Sequence, residues 1–192
     1  MVKGRRKELP DQLSDLPDSI LIHILSMLEE WRNKEVVKTS VLSTTWRSLW
    51  KFVPVSLHFE PTRFHYDAIR DFVTSTHTEI NYWRSCKKIK KFSVLLSICD
   101  ERFVKDVDLW ASFALIDAKV EEFVLEFSYD EGYDVCEYKF PKYAYKNTSL
   151  RYLVLGNCIL NPKDNVNWTS LVSLSLRDLK LIEGVIEKAL SG

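Results

Sequence analysis

The residues able to do chemistry are few and scattered. Cys86, Cys99, Cys136 and Cys158 lie 13, 37 and 22 residues apart, with no Cys-x-x-Cys and no pair of histidines nearby. Zinc needs ligands that arrive in close sequence pairs, so the spacing offers no metal site. His23, His58, His65 and His77 are dispersed, and each reads as a surface or packing residue rather than a base. No Gly-x-Ser-x-Gly, His-Glu-x-x-His or phosphate-cradling glycine loop occurs, and nothing calls for a cofactor. The sequence therefore predicts a protein that is not an enzyme.

Two charged runs remain. Cys86-Lys87-Lys88-Ile89-Lys90-Lys91 gathers four lysines, and the stretch from Glu126 to Glu137 holds Glu126, Asp130, Glu131, Asp134 and Glu137 without a Lys or Arg. A substrate contact is one reading of either run, but solvated loops and strand rims carry such runs more often. The 192 residues hold 27 Lys+Arg against 27 Asp+Glu, which argues against a nucleic-acid binder driven by bulk charge. At 46% hydrophobic and 28% charged the chain reads as globular. Unbroken apolar runs reach only four residues, so neither a membrane span nor a secretory segment is expected. Reduced thiols and an intracellular location, cytoplasm or nucleus, fit best. The sequons at Asn147 and Asn167 are then chance matches, and residues 1–13 read as a disordered basic tail, with a nuclear address in Lys3-Gly4-Arg5-Arg6-Lys7 as the alternative.

What must position any binding surface is first a helical segment. Leu16, Ile20, Leu21, Ile24, Leu25 and Leu28 fall on one helical stripe, with Pro17 in the first turn and Asp15 and Asp18 at the positive end of the dipole. Asn33 can cap a second helix carrying Val36, Val37, Val41 and Leu42. Ser43 can cap a third, in which Trp46, Leu49 and Trp50 share a face before Pro54 ends it. Three short helices cannot enclose all these side chains. Some of Leu16, Ile20, Ile24, Val41, Trp46 and Trp50 must face either the rest of the chain or a partner.

The order of these residues, Leu16-Pro17-Asp18-Ser19-Ile20 through Leu28, then Thr39-Ser40-Val41-Leu42-Ser43, then Trp46-Arg47-Ser48-Leu49-Trp50, resembles an F-box over residues 14–54. It is similar to the plant group that joins an F-box to leucine-rich repeats and often to a C-terminal FBD domain. The resemblance implies docking onto a Skp-type adaptor that bridges to a cullin ubiquitin ligase. It assigns the contact to Leu16, Pro17, Ile20, Leu21, Ile24, Leu25, Val41, Leu42 and Trp46. Two departures stand out. Glu29-Glu30-Trp31-Arg32-Asn33 makes a longer first turn without the usual proline, and Thr44-Thr45 replaces a basic pair.

Residues 55–192 repeat. Leu150-x-x-Leu153-x-Leu155-x-x-Cys158-x-Leu160 fits a leucine-rich-repeat template, and Leu171, Leu174, Leu176, Leu179 and Leu181 repeat its spacing. Val120, Phe123 and Leu125 fit its first positions, as do Ile89, Phe92 and Val94, with starts 31, 30 and 21 residues apart. Helical stripes fill the returns: Ile69-Phe72-Val73, then Val107-Trp110-Ala111-Ala114, and finally Ile182-Val185-Ile186-Ala189. The expected fold is thus a three-helix F-box followed by a short, irregular α/β solenoid of about four repeats around a curved parallel sheet. The repeats are expected to stop uncapped at Ser191-Gly192 without the FBD domain, as a short form, a truncated gene product or a fragment.

Strand alternation then sends Lys91, Ser93, Glu122, Val124, Tyr152, Val154, Ser173 and Ser175 away from the core, as the face for a protein substrate whose identity they do not name. Together with the resemblance, this predicts a substrate-recruiting subunit of a Skp–cullin–F-box ligase. A non-degradative competitor for the adaptor and an intracellular repeat scaffold are the alternatives.

Overall fold

The computed structural model describes residues 13–28, 33–61, 66–86, 88–96, 101–127, 138–162 and 165–181. The chain divides into two compact units, residues 1–53 and 54–192. The basic tail, the long turn after Leu28, most of the acidic stretch, His65, Cys99, Cys136 and the stripe from Ile182 to Ala189 lie outside the described residues.

In the first unit α1 (Asp18–Ser26), α2 (Asn33–Lys38) and α3 (Trp46–Leu49) gather round Leu21, Leu25, Val36, Trp46, Leu49 and Val53, with Ile22 and Trp50 packed partly against them. Proline at 17 stands just ahead of α1, and its carbonyl accepts the Ile20 and Leu21 amides at 2.9 and 3.1 Å, which starts the helix. The second helix is shorter than its apolar pattern predicts. It gives way to a 3-10 turn over Thr39–Val41, so Val36 points inward while Val41 and Leu42 turn out. Ser43 does not cap α3, whose first residue follows Thr45 with no side-chain cap. Its hydroxyl lies 3.1 Å from Ser14 Oγ instead, and Ser14 Oγ also accepts the Trp46 indole N–H at 3.0 Å. Ser14 thereby clasps the approach to α1 against the approach to α3.

The second unit is built on a five-stranded, all-parallel sheet in the order β1-β2-β3-β4-β6. Its strands are β1 (Val55–Phe59), β2 (Ile89–Leu96), β3 (Glu122–Phe127), β4 (Tyr152–Gly156) and β6 (Ser173–Arg177). A second parallel pair, β5 (Ile159–Leu160) with β7 (Lys180–Leu181), is made by the tails of the last two repeats. The first strand, β1, lies outside the four sequence-predicted repeats.

Register explains the core. Leu57, Phe92, Phe123, Leu153 and Leu174 stand side by side across all five strands, and Phe59, Val94, Leu125, Leu155 and Leu176 form the next row. Phe92 and Phe123 stack with centroids 6.2 Å apart, and the aromatic run continues through Phe140, Tyr145 and Trp168. Parallel strands need crossovers. The first is α4 (Tyr66–Trp83), which buries Ile69, Val73, Thr76, Ile80 and Trp83 on one stripe at steps of three and four. The second is α5 (Val104–Ser112), prolonged by a π-helical turn over Phe113–Asp117 that buries Phe113, Ala114 and Leu115.

Ahead of β4 the return is a 3-10 turn, Lys142–Lys146, locked by Asn147. The Asn147 carbonyl oxygen accepts the amides of Ser149 and Leu150, both at 2.9 Å, while its side-chain amide donates to the Leu115 carbonyl at 2.8 Å. The side-chain oxygen makes this Asx turn, and the nitrogen that glycosylation would need is engaged by the Leu115 carbonyl.

Candidate functional site

In the helical unit, helix geometry sorts the apolar stripe into two. Neighbouring residues stand about 100° apart, so with Leu21 and Leu25 buried, Ile20 and Ile24 must turn aside. Ile20 is 45% exposed and Ile24 half-buried; Leu16 and Pro17 are also exposed. Val41 and Leu42 are 85% and 62% exposed. Since Ser14 bonds to Ser43, Leu16-Pro17 and Val41-Leu42 sit on the two segments that this clasp joins. Of the nine residues expected to contact a partner, Leu21, Leu25 and Trp46 instead fill the unit's own core, where their part is to hold the outer residues in place. Leu13, Met27, Leu28 and Phe52 are exposed apolar side chains that the spacing did not single out as contacts. Leu28 was visible as the end of the stripe; Met27, the residue just before it, lies off that pattern.

Among the described residues, eight of the thirteen large exposed apolar side chains belong to this small unit. Such concentration, on so few residues, is what an unfilled docking surface looks like.

In the sheet unit, the outward positions line up as Lys91, Glu122, Tyr152 and Ser173 in one row and Ser93, Val124, Val154 and Ser175 in the next. Not all are accessible. Ser93 is 3% and Val124 8% exposed, because interior strands carry neighbours on both sides about 4.8 Å away. Ser93 Oγ lies 3.1 Å from His58 Nδ1, and Lys91 pairs with Glu122 at 2.6 Å. Tyr152 and Ser173 are exposed, while Lys91, Glu122, Val154 and Ser175 are half-buried. The expected face is therefore two exposed positions at its β4–β6 side and a largely self-satisfied surface elsewhere.

Ser93, His58 and Glu60 line up as nucleophile, base and orienter would, with His58 Nε2 3.4 Å from Glu60. The hydroxyl, however, is buried in mid-strand, and the amides around it are committed to the β1 and β3 ladders, so no pair of N–H groups faces a developing oxyanion. The trio ties β1 to β2. Burial pushes the Cys158 thiol up to about 12, which leaves it protonated and unreactive near neutrality. Among the described residues no cluster of His, Cys, Asp and Glu is arranged to hold a metal, and no helix is long and apolar enough to cross a membrane.

One ion pair carries a pH prediction. The Lys88 ammonium bonds Glu121 at 3.0 Å and holds its carboxyl below the ordinary 4.5, against a smaller opposing push from burial. A depressed carboxylate stabilises the fold fully above its unfolded pKa and loses that contribution as pH falls through the folded value. Glu121→Gln should thus lower stability at pH 7 by less than about 1 kcal/mol, the pair being partly exposed. The difference from the parent should close as urea titrations are taken from pH 6 down through pH 4 and below. A gap that persists unchanged into acid would refute it.

Comparison with known proteins gives consistent relatives. An F-box protein of Arabidopsis thaliana is 35% identical over 95% of this chain and 53% of its own length. From the same plant, F-box/LRR-repeat protein 25 is 34% identical over 95% of this chain and 64% of its own, and F-box/LRR-repeat protein 13 is 33% identical over 93% and 37%. The chain spans about half, or less, of the length of most curated relatives it matches. No family model and no solved structure matches it.

Proposed function

Because the chain belongs to the plant F-box/LRR-repeat proteins, we propose that its helical unit docks onto a Skp-type adaptor of a cullin ubiquitin ligase while its sheet unit holds a protein target. The observation that carries this reading is the excess of exposed apolar side chains on residues 13–53, Val41 and Leu42 among them. A core of six residues keeps the unit folded, and a second apolar set is left over for another chain. An apolar groove with a polar rim would cover Leu16, Ile20, Val41 and Leu42 and bury their surface at about 25 cal/mol per Å².

The chain's own contribution is proximity. Held at one end by the adaptor and at the other by the target, it raises the effective concentration of target lysines near the transfer site, and the bond-making groups belong to other subunits. The domain reading follows the same division: residues 14–54 as the F-box and 55–192 as a leucine-rich-repeat region. Stacked strand–return units with leucines in register, and the β5–β7 pair made by successive repeat tails, support the second.

Co-expression with and without a Skp-type adaptor tests the proposal. Stable 1:1 co-purification, followed by ubiquitin transfer to material captured on the sheet unit, is the expected result. A chain that stays monomeric beside excess adaptor would overturn it.

A further inference from the structure

An all-parallel sheet brings the C-terminal ends of its strands to one edge, and there a cavity of about 340 Å³ opens. Each of the five strands ends on it: β1 through Glu60, β2 through Leu96, β3 through Glu126 and Phe127, β4 through Gly156 and Asn157, and β6 through Arg177 and Asp178. Its floor has an unusual construction. Glu126 on β3 and Arg177 on β6 form a 2.8 Å ion pair although β4 runs between them. They meet because the intervening position is Gly156: a Cβ there would stand 3.2 Å from Glu126 Cγ. Glycine within a strand commonly marks a close approach of this kind. Beyond it, Asn157 at φ 52° and Asp178 at φ 49° turn the chain sharply away from the sheet, and Asn157 donates its side-chain amide to the Phe127 carbonyl.

The lining carries three carboxylates, Glu60, Glu126 and Asp178, against the single guanidinium of Arg177. His58 stands 3.4 Å from Glu60 but takes no part in the floor. Beside the charges lies the half-buried Leu95, while Leu96 and Phe127 of the same lining are almost wholly buried. Carboxylates beside an accessible hydrocarbon side chain suit a long side chain that has a methylene stem and a cationic head. Arg177, whose side chain is 63% exposed, already offers one such head, and its pairing shows that Glu126 accepts a cation in this geometry.

We propose that this cavity receives a lysine or arginine side chain of the protein target, with Glu126 as the principal carboxylate and Arg177 as the internal cation that the incoming one displaces. The proposal deepens the reading of the sheet unit as the target-holding part, by naming a chemical feature of the target.

The test is titration of the ¹⁵N-labelled full chain with the blocked peptides Gly-Gly-Arg-Gly-Gly and Gly-Gly-Lys-Gly-Gly, with Gly-Gly-Gln-Gly-Gly as the neutral control. The basic peptides should shift the Gly156 and Asn157 amide signals and the neutral one should not. Glu126→Gln should weaken the effect about tenfold, while Arg177→Gln, which removes the competitor from an exposed position, should strengthen it several-fold. Asp117→Asn, which changes net charge equally but at an exposed carboxylate paired with Arg84 and outside the cavity lining, should leave it unaltered. Equal response to the neutral peptide, or equal weakening by Asp117→Asn, would overturn the proposal, as would any loss on Arg177→Gln. Adaptor capture is read on the same samples. Peptide failure with capture intact removes this inference alone, and capture failure with peptide binding intact removes the docking proposal alone.

Discussion

Replacing Val41 and Leu42 together by aspartate is expected to abolish adaptor capture while the helical unit melts as before. Both side chains lie mostly in solvent, on a 3-10 turn and the residue after it, and neither belongs to the core of Leu21, Leu25, Val36, Trp46, Leu49 and Val53. Surface changes of this kind alter stability by no more than about 0.5 kcal/mol. Burial of a Val or Leu side chain at an interface contributes about 1.5–3 kcal/mol, and an unpaired carboxylate forced into an apolar groove costs more than the lost methyls did. Binding should weaken at least about 100-fold, the equivalent of 2.7 kcal/mol or more. Biolayer interferometry against immobilised adaptor, beside a thermal melt of each protein, provides both readings. Unchanged affinity would show that the exposed set is not the docking surface.

Phe92→Ala should have the largest effect on the sheet unit. Phe92 is fully buried, stacks on Phe123 of β3, and meets Phe59 of β1 at 5.3 Å and Phe113 of the π-helical turn at 6.1 Å. Truncation leaves a cavity that three elements would have to collapse together to fill, and losses of about 3–5 kcal/mol accompany such changes. A domain of this kind has about 5–15 kcal/mol in hand, so about a fifth or more of its stability would go. Denaturant titration followed by tryptophan fluorescence should move the midpoint accordingly, without a change of slope. A shift worth under about 1 kcal/mol would mean that the aromatic row is not packed as described.

The leucine spacing made β2, β3, β4 and β6 legible before any coordinates, because a template of fixed strand offsets and a fixed register are the same information. The first strand was not counted among the repeats, although Val55, Leu57 and Phe59 alternate cleanly, because it lacks the upstream and downstream leucines that complete the template. In the helical unit the apolar stripe was readable but its orientation was not. Six residues including two adjacent pairs cover more arc than one packing face accepts, and only the partner elements decide which of Ile20 and Leu21 turns in. Alternation likewise put Ser93 and Val124 on the correct face while saying nothing of how tightly neighbouring strands would wall them in. The cavity at the strand ends was the least visible of all. It arises from residues of five strands far apart along the chain, and its key position is a glycine, whose meaning is legible only once Glu126 and Arg177 are seen to reach across it.

The parallel arrangement has a kinetic corollary. Every strand pairing in the sheet joins residues roughly 20 to 35 positions apart, whereas each helix of the amino-terminal unit closes its own backbone bonds between residues about four apart. During synthesis those helices are free to form while the ribosome is still extending the first crossover, but no strand of the sheet can pair until β2, past that crossover, has emerged. The exposed apolar side chains of the helical unit therefore exist early in the life of the nascent polypeptide, before the sheet unit has taken shape. On the docking proposal, an adaptor bound at that moment would shield them from aggregation as well as recruit the chain.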